Sequence, residues 1–343
     1  MKLSRVQVAT ASLAPLVPAG VVHAAPARAA AAPVSCPLSW TQATGNTAYP
    51  DTSATYWTVK FPVVTGGHLT IAGTFPHARY MSFNSYQGPS AYDVVEDDIL
   101  VYVPDDGQDD TGGVGVPAVT FYAPAGTQLP PECTGSTRTF PARDLAVPAT
   151  ATPTNPPTWV KATGNDSYGN LDNAYLSASI SPKFGQVLVI HAEAATFPAT
   201  VQGEPTFDGD TKLRYWSMCE NDPVTTGVID CSPDYLTTVP SGGYYTFVVS
   251  KTQPSNATAA CGVTWLPWGS VRTGLLILRN MLPASSFTES IQDAQPGQVQ
   301  QDMGDYFPSA AYVKTVAGFE KLGCPPDLSG LFPPPAPAAP RSR

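Results

Sequence analysis

The stretch Tyr56–Ile71 recurs at Tyr175–Ile190, and no other feature limits the possible folds of this chain as tightly. Tyr56, Gly66, Leu69 and Ile71 return as Tyr175, Gly185, Leu188 and Ile190 at one constant spacing, without a gap. The echo continues downstream. Arg79-Tyr80-Met81-Ser82 returns as Arg214-Tyr215-Trp216-Ser217 after 16 inserted residues, and Asp98, Leu100, Val103-Pro104 and Gly107 match Asp234, Leu236, Val239-Pro240 and Gly243. Three ordered blocks of agreement imply two copies of one unit. At 343 residues the chain is long enough to give each copy its own core.

Only 13% of residues are charged, while Pro, Thr, Ser and Gly are plentiful. That mix favours strands and turns over helices, whose surfaces usually carry Glu, Lys and Arg. Strand signals run from Tyr56 to Val64, His68 to Gly73, Arg79 to Tyr86, Ile99 to Val103 and Ala118 to Ala123. The second copy repeats the order from Tyr175 to Ile180, Gln186 to Ala192, Lys212 to Cys219, Asp234 to Val239 and Tyr244 to Ser250. It then adds Thr264 to Trp268 and the apolar Gly274 to Leu282. Ser285 to Ala294 suits one short helix, with Ser286 and Glu289 in capping-box spacing. The expected fold is all-β: two tandem, internally duplicated β-sandwich or jelly-roll-like units with a short C-terminal helix. The expected boundaries are a signal peptide over 1–31, a first β unit over 32–146 and a Pro/Thr-rich linker over 147–157. A second β unit over 158–331 and a disordered Pro-rich tail over 332–343 follow.

The first 31 residues read as an export signal. Lys2 and Arg5 form a basic start, Val6 to Val22 a weak apolar core, and small-residue cleavage options end at Ala24 and Ala29. That core is too short and too broken by proline to span a bilayer, and no second long apolar run follows. A released or wall-associated protein is expected; a lipid anchor on Cys36 is the alternative, with Pro33-Val34-Ser35 a poor lead-in. Removing Lys2, Arg5 and Arg28 from the 18 basic residues, with all 27 acids retained, leaves a formal net charge of −12. Such a surface repels nucleic acid and anionic lipid headgroups.

Six cysteines, all beyond the signal, suit an oxidising compartment. Cys219 and Cys231 flank a short Asn/Asp/Pro segment, so a local bridge is expected there. Pairing within each half then gives Cys36–Cys133 and Cys261–Cys324. No Cys-x-x-Cys spacing exists and no His lies near a Cys, so neither zinc nor any other metal or cofactor is expected.

Phe75-Pro76-His77-Ala78-Arg79-Tyr80-Met81-Ser82-Phe83, Leu213-Arg214-Tyr215-Trp216-Ser217, Trp265-Leu266-Pro267-Trp268-Gly269 and Leu275 to Pro283 carry a resemblance across nearly the whole mature chain. They resemble an uncharacterised family of exported proteins from high-GC Gram-positive bacteria. The second half is also distantly similar to jelly-roll-like envelope domains of unknown function. The resemblance implies a β fold and an envelope setting, and no activity.

The familiar catalytic signatures are missing: no Gly-x-Ser-x-Gly, no His-Glu-x-x-His, no phosphate loop and no dinucleotide fingerprint. His191-Ala192-Glu193 puts an imidazole and a carboxylate on one strand face, a spacing open to metal ligation or to a strand leaving the core. The loop from Asp105 to Gly113 has oxygen ligands for calcium but not the EF-hand spacing. Glu96, Asp97 and Asp98 could supply paired carboxylates for glycoside hydrolysis.

The Arg-Tyr strands are the best candidate surface. Alternation sets Tyr80, Ser82, Asn84 and Tyr86 on one face, with Tyr215 and Ser217 in the second copy. A hydroxyl-rich aromatic face can line a site for a sugar or small polar ligand, or satisfy a partner sheet at the interface between copies. Arg79 and Arg214 share their faces with apolar residues and need partners; Asp98 and Asp234, one per copy, are the expected ones. The function expected is an exported envelope or secreted protein binding a polysaccharide, lipid or protein partner, more as a binder than as an enzyme. A secreted hydrolase of cell-wall glycan or ester substrates and a structural or assembly protein of the envelope are the alternatives.

Overall fold

The computed structural model describes residues 33–61, 64–86, 97–104, 113–128, 133, 152–162, 170–200 and 211–332, with the backbone alone at 86 and 97–104. The expected export signal, the Pro-rich tail from 333, Glu96, most of the acidic 105–113 loop and the part of the expected linker before 152 lie outside these residues. Among the described residues no helix is long and apolar enough to cross a membrane.

The first unit holds β1 (Val34–Leu38), β2 (Thr41–Gln42), β3 (Thr55–Lys60), β4 (His68–Ala72), β5 (Ala78–Tyr86), β6 (Asp97–Pro104) and β7 (Ala118–Ala123). They form two sheets, β1-β7-β4 and β2-β3-β6-β5. The second unit holds β8 (Val160–Lys161), β9 (Asn173–Ile180), β10 (Val187–Glu193), β11 (Leu213–Asn221), β12 (Val228–Pro233), β13 (Tyr244–Ser250), β14 (Thr264–Pro267), β15 (Gly274–Pro283) and β16 (Ser309–Val313). Its sheets are β12-β11-β15-β9-β8 and β14-β13-β10-β16. Alternation sends Leu176, Ala178 and Ile180 of β9 inward against Leu188, Ile190, Phe247, Trp216 and Leu278, which closes a sandwich core. Burying each of the Leu, Ile and Phe side chains contributes about 1.5–3 kcal/mol. Val187, Val189 and Val248 on the outer face of the second sheet are covered by Phe319, which lies on the short helix α2 (Val316–Glu320).

The strand registers repeat. Thr41 and Gln42 of β2 pair with Thr58 and Trp57 of β3; Val160 and Lys161 of β8 pair with Ser177 and Leu176 of β9, at the spacing that relates Tyr56 to Tyr175. The turn before each strand repeats atom by atom. Ser53 donates its N–H to Asp51 Oδ1 at 3.0 Å, and Asp172 donates to Asn170 Oδ1 at 2.9 Å. Leu69 faces Phe121 as Leu188 faces Tyr312, so β7 and β16 are equivalent. The matched glycines are kept for different reasons: Gly66 turns with φ +77°, whereas a Cβ on Gly185 would stand 2.5 Å from the Val313 carbonyl oxygen.

The third sequence block does not extend the equivalence. β6 lies between β3 and β5, and its counterpart between β9 and β11 is β15, not Asp234 to Val239. The 234–237 segment is a turn, in which the Leu236 and Thr237 amides donate to the Pro233 carbonyl. The second copy thus carries β12, β13 and β14 as an insertion between β11 and β15. Ser285 to Ala294 is likewise a run of turns and not a helix, because Asn280 Oδ1 accepts the Ile291 amide and Ser290 Oγ the Asp293 amide. The short helices fall later, at α1 (Val299–Met303) and α2.

All three expected disulfides are present: Cys36–Cys133, Cys219–Cys231 and Cys261–Cys324. Cys219 and Cys231 are directly opposed on β11 and β12. Cys261–Cys324 ties the chain beyond α2 to the turn before β14.

Candidate functional site

The hydroxyl and aromatic faces of β5 and β11 meet each other across the boundary between the units. Tyr80, Tyr215 and Met281 form one buried cluster with Tyr56 and Tyr235. Tyr80 OH donates to Asp172 Oδ2 at 2.6 Å and accepts from Asn170 Nδ2 at 2.9 Å. Tyr215 OH donates to Asp51 Oδ2 at 2.9 Å, and Ser217 Oγ donates to the same oxygen. Each tyrosine therefore reaches into the equivalent turn of the other copy. Burial, first, and the neighbouring carboxylates, second, push both phenols well above their ordinary range.

Two cross-unit ion pairs flank this cluster. Arg79, 2% exposed, donates Nη1–H to Asp234 Oδ1 and Nε–H to Thr200 Oγ1 at 3.0 Å. Its guanidinium lies between the rings of Phe197 and Tyr235, 5.3 Å from each centroid. Desolvation lifts the Asp234 carboxyl to about 6, against the pull of Arg79 and of the Trp216 and Tyr235 amides. Arg279 stands 3.8 Å from Asp51 Oδ2 and donates Nη2–H to the Tyr49 carbonyl at 2.6 Å.

The expected pairs Arg79–Asp98 and Arg214–Asp234 are corrected. In the antiparallel β5–β6 ladder Tyr80 faces Val103 while Asp98 faces Ser85. Arg79 and Asp98 thus stand about six residues apart along β5, roughly 20 Å. Asp234 turns to the Arg of the other copy, and Arg214 donates Nη1–H to the Arg79 carbonyl at 3.1 Å.

Of the residues nominated as a ligand surface, three are taken up by the boundary between the units. Tyr80, Tyr215 and Ser217 weld the two units, and Asn84 donates to Ser82 Oγ at 2.8 Å. The side chain of Tyr86 lies outside the described residues.

His191 and Glu193 do share a face but have separate partners. His191 Nδ1 bonds Thr246 Oγ1 at 3.1 Å and its ring stacks on Tyr244 and Phe332, while burial lowers its pKa. Glu193 accepts from Tyr306 OH at 2.6 Å and pairs with Lys212 at 3.6 Å. Among the described residues, the Asp51, Cys219 and Cys231 ligand atoms come close enough to hold a metal ion, but both sulfurs are spent in the disulfide.

A groove of roughly 770 Å³ opens on the second unit. It is lined by Thr154 to Lys161 and by Pro296, Gly297, Val299, Gln300, Phe307, Ser309, Ala310 and Phe332. Apolar walls with hydroxyl and amide groups are the usual make-up of a binding cleft. Its lining includes no Asp or Glu. Trp159 lies in this wall, nearly buried, and among the described residues its indole N–H has no hydrogen-bond partner. Sequence reasoning missed the groove by reading 147–157 as a linker. The usable signal was Pro37-x-x-Trp40 against Pro156-x-x-Trp159, which carries the repeat upstream of Tyr56 at the same spacing.

No family model matches this chain, and no curated protein matches it. Among solved structures, an uncharacterised protein from Burkholderia cenocepacia is similar at 14% identity over 73% of this chain and 79% of that one, with a TM-score of 0.40.

Proposed function

We propose that this chain is an exported, non-enzymatic protein of the cell envelope or its surroundings that binds an uncharged polymer, polypeptide or polysaccharide, in the groove beside Trp159. The observation that carries this reading is the groove's make-up: Trp159, Phe307 and prolines for apolar contact, with Thr154, Asn155, Thr158, Gln300 and Ser309 for hydrogen bonding. The three disulfides and the acidic balance of the chain agree with life outside the cytoplasm. The buried seam of Arg79, Asp234, Asp51 and Arg279 serves to hold two sandwiches as one platform. The hydrolase alternative requires facing carboxylates, and the groove's lining carries none.

The test is a thermal-shift screen against soluble envelope glycan fragments, phospholipid dispersions and uncharged peptides. A ligand at one hundred times its Kd stabilises by about 2.7 kcal/mol, and Phe307→Ala should abolish the shift. A screen without any shift, or shifts that Phe307→Ala leaves unchanged, removes the groove as the binding site.

A further inference from the structure

The two copies differ at one edge. In the first unit β7 has β4 on one side and β1 on the other, with Cys36 opposite Phe121 and Leu38 opposite Val119. In the second unit β16, the equivalent of β7, has β10 on one side, and among the described residues no strand pairs with its other edge. The Gln186 amide donates to the Lys314 carbonyl, so alternation turns the N–H and C=O of Ala311 away from β10 and out along that edge.

Counting back from the matched pair Thr41 and Val160, the segment equivalent to β1 is Pro153–Pro157. Pro153, Pro156 and Pro157 lack the amides a ladder needs, and the segment forms no strand. It and the start of β16 line one groove, through Thr154 to Trp159 on the first and Ser309 and Ala310 on the second, with Ala311 the next residue along β16. Trp40 and Trp159 record the difference. Trp40 donates its indole N–H to the Pro117 carbonyl, just before β7, at 2.7 Å. Pro308 is the equivalent residue before β16, yet among the described residues the buried Trp159 N–H has no partner.

We propose that the outer edge of β16 accepts an extended, uncharged peptide segment of another protein, which adds as the strand that β1 supplies in the first unit. This rests on the groove reading above and names its partner class. Main-chain hydrogen bonds to Ala311 supply affinity, the aromatic wall takes alternate side chains, and the Trp159 N–H gains an acceptor. The chain's own candidates fit less well. β1 is already paired with β7 and tied by Cys36–Cys133, and the 333–343 tail has prolines at 333, 334, 335, 337 and 340, which remove the needed donors.

The probe is a fluorescein-labelled synthetic peptide of residues 33–39 carrying Cys36→Ser, titrated into the full mature protein and followed by anisotropy. Two N-methylated forms accompany it, one methylated at positions 34, 36 and 38 and the other at 35. A strand at an edge uses alternate amides, so one form should bind at least about tenfold more weakly and the other like the parent. Ala311→Pro removes a donor from the open edge alone and should weaken the parent peptide by about tenfold with thermal stability retained. Should that variant fail to fold, the methylation pattern decides by itself. Absence of peptide binding overturns the inference. Binding indifferent to methylation and to Ala311→Pro also overturns it while leaving the groove reading intact. Binding that requires deletion of 333–343 assigns the edge to the tail, and a concentration-dependent dimer dissolved by the peptide assigns it to a second copy; either sinks the proposal.

Discussion

Arg79 of the first unit and Asp234 of the second form a buried ion pair that crosses the boundary between the two halves, with both side chains almost wholly removed from water. Asp234 also accepts the Trp216 amide at 3.1 Å, so its carboxylate serves both the seam and the start of β11. Loss of Asp234 strands a guanidinium between Phe197 and Tyr235. Asp234→Ala should destabilise by about 3–5 kcal/mol. Arg79→Met with Asp234→Leu should cost clearly less, because neither charge is left alone. Urea unfolding checks both; equal losses for the single and double changes would refute the pairing.

Glu220 predicts a pH dependence. It is fully buried on β11, neither carboxyl oxygen makes a well-formed hydrogen bond among the described residues, and desolvation, offset only in part by the Asn221 amide, raises its pKa well above the ordinary value. A raised folded pKa means that the folded state holds a proton the unfolded chain gives up. Its contribution is therefore complete below the ordinary Glu pKa and is lost as pH rises toward the folded value. Relative to Glu220→Gln, the wild type should lose up to about 1.4 kcal/mol per pH unit above about pH 4.5. Denaturation curves at pH 4, 5, 6 and 7 test this, and parallel behaviour of the two proteins would contradict it.

Gly274 is tied to the same side chain. A Cβ there would sit 1.9 Å from Glu220 Oε1 and 3.1 Å from Ile180. Gly274→Ala should cost about 1–3 kcal/mol through overpacking. Combining it with Glu220→Ala should recover part of that loss, and strict additivity in the double-mutant cycle would show that the two do not touch.

The Cys219–Cys231 bridge closes a short loop between β11 and β12. Replacing both cysteines by serine should cost about 3 kcal/mol, the usual range for a loop of that size. Thiol labelling of the unreduced, denatured wild type should find no free thiol. Detection of two or more would break the assignment.

Trp40 and Trp159 should separate in a matched pair of substitutions. Both Trp→Phe changes remove the same volume, but only Trp40 has an acceptor, the Pro117 carbonyl. Trp40→Phe should therefore be the costlier by about 1 kcal/mol in the free protein. Equal costs in thermal unfolding would mean that the two indoles have equivalent environments.

The sequence alone located β3 to β7, β9 to β11 and β13 to β15, the duplication through Ser82 and Ser217, and the cysteine pairing, while β1, β2, β8, β12 and β16 escaped it and Asp234 to Val239 proved a turn. Each depends on local alternation, on turn residues, or on segments that a repeat places in register. Val187 and Val189 alternate with Leu188 and Ile190 whatever partner covers them, and Tyr56 marks the same turn as Tyr175. Only the tertiary structure decided which charges meet. Asp98 and Asp234 look alike in one dimension, but Asp98 is the second residue of β6 and Asp234 lies in the turn after β12, in the inserted segment, so Arg79 finds the second and not the first. The hydroxyl face of β5 and β11 could be recognised from alternation, yet whether it met a ligand or its own copy depended on how two units pack, and no residue within either strand encodes that. The open edge of β16 has the same origin. A strand's second neighbour is set by chain that lies far away in sequence, and in the second unit that chain is Pro153–Pro157, whose missing amides show their effect only where a ladder would have to form.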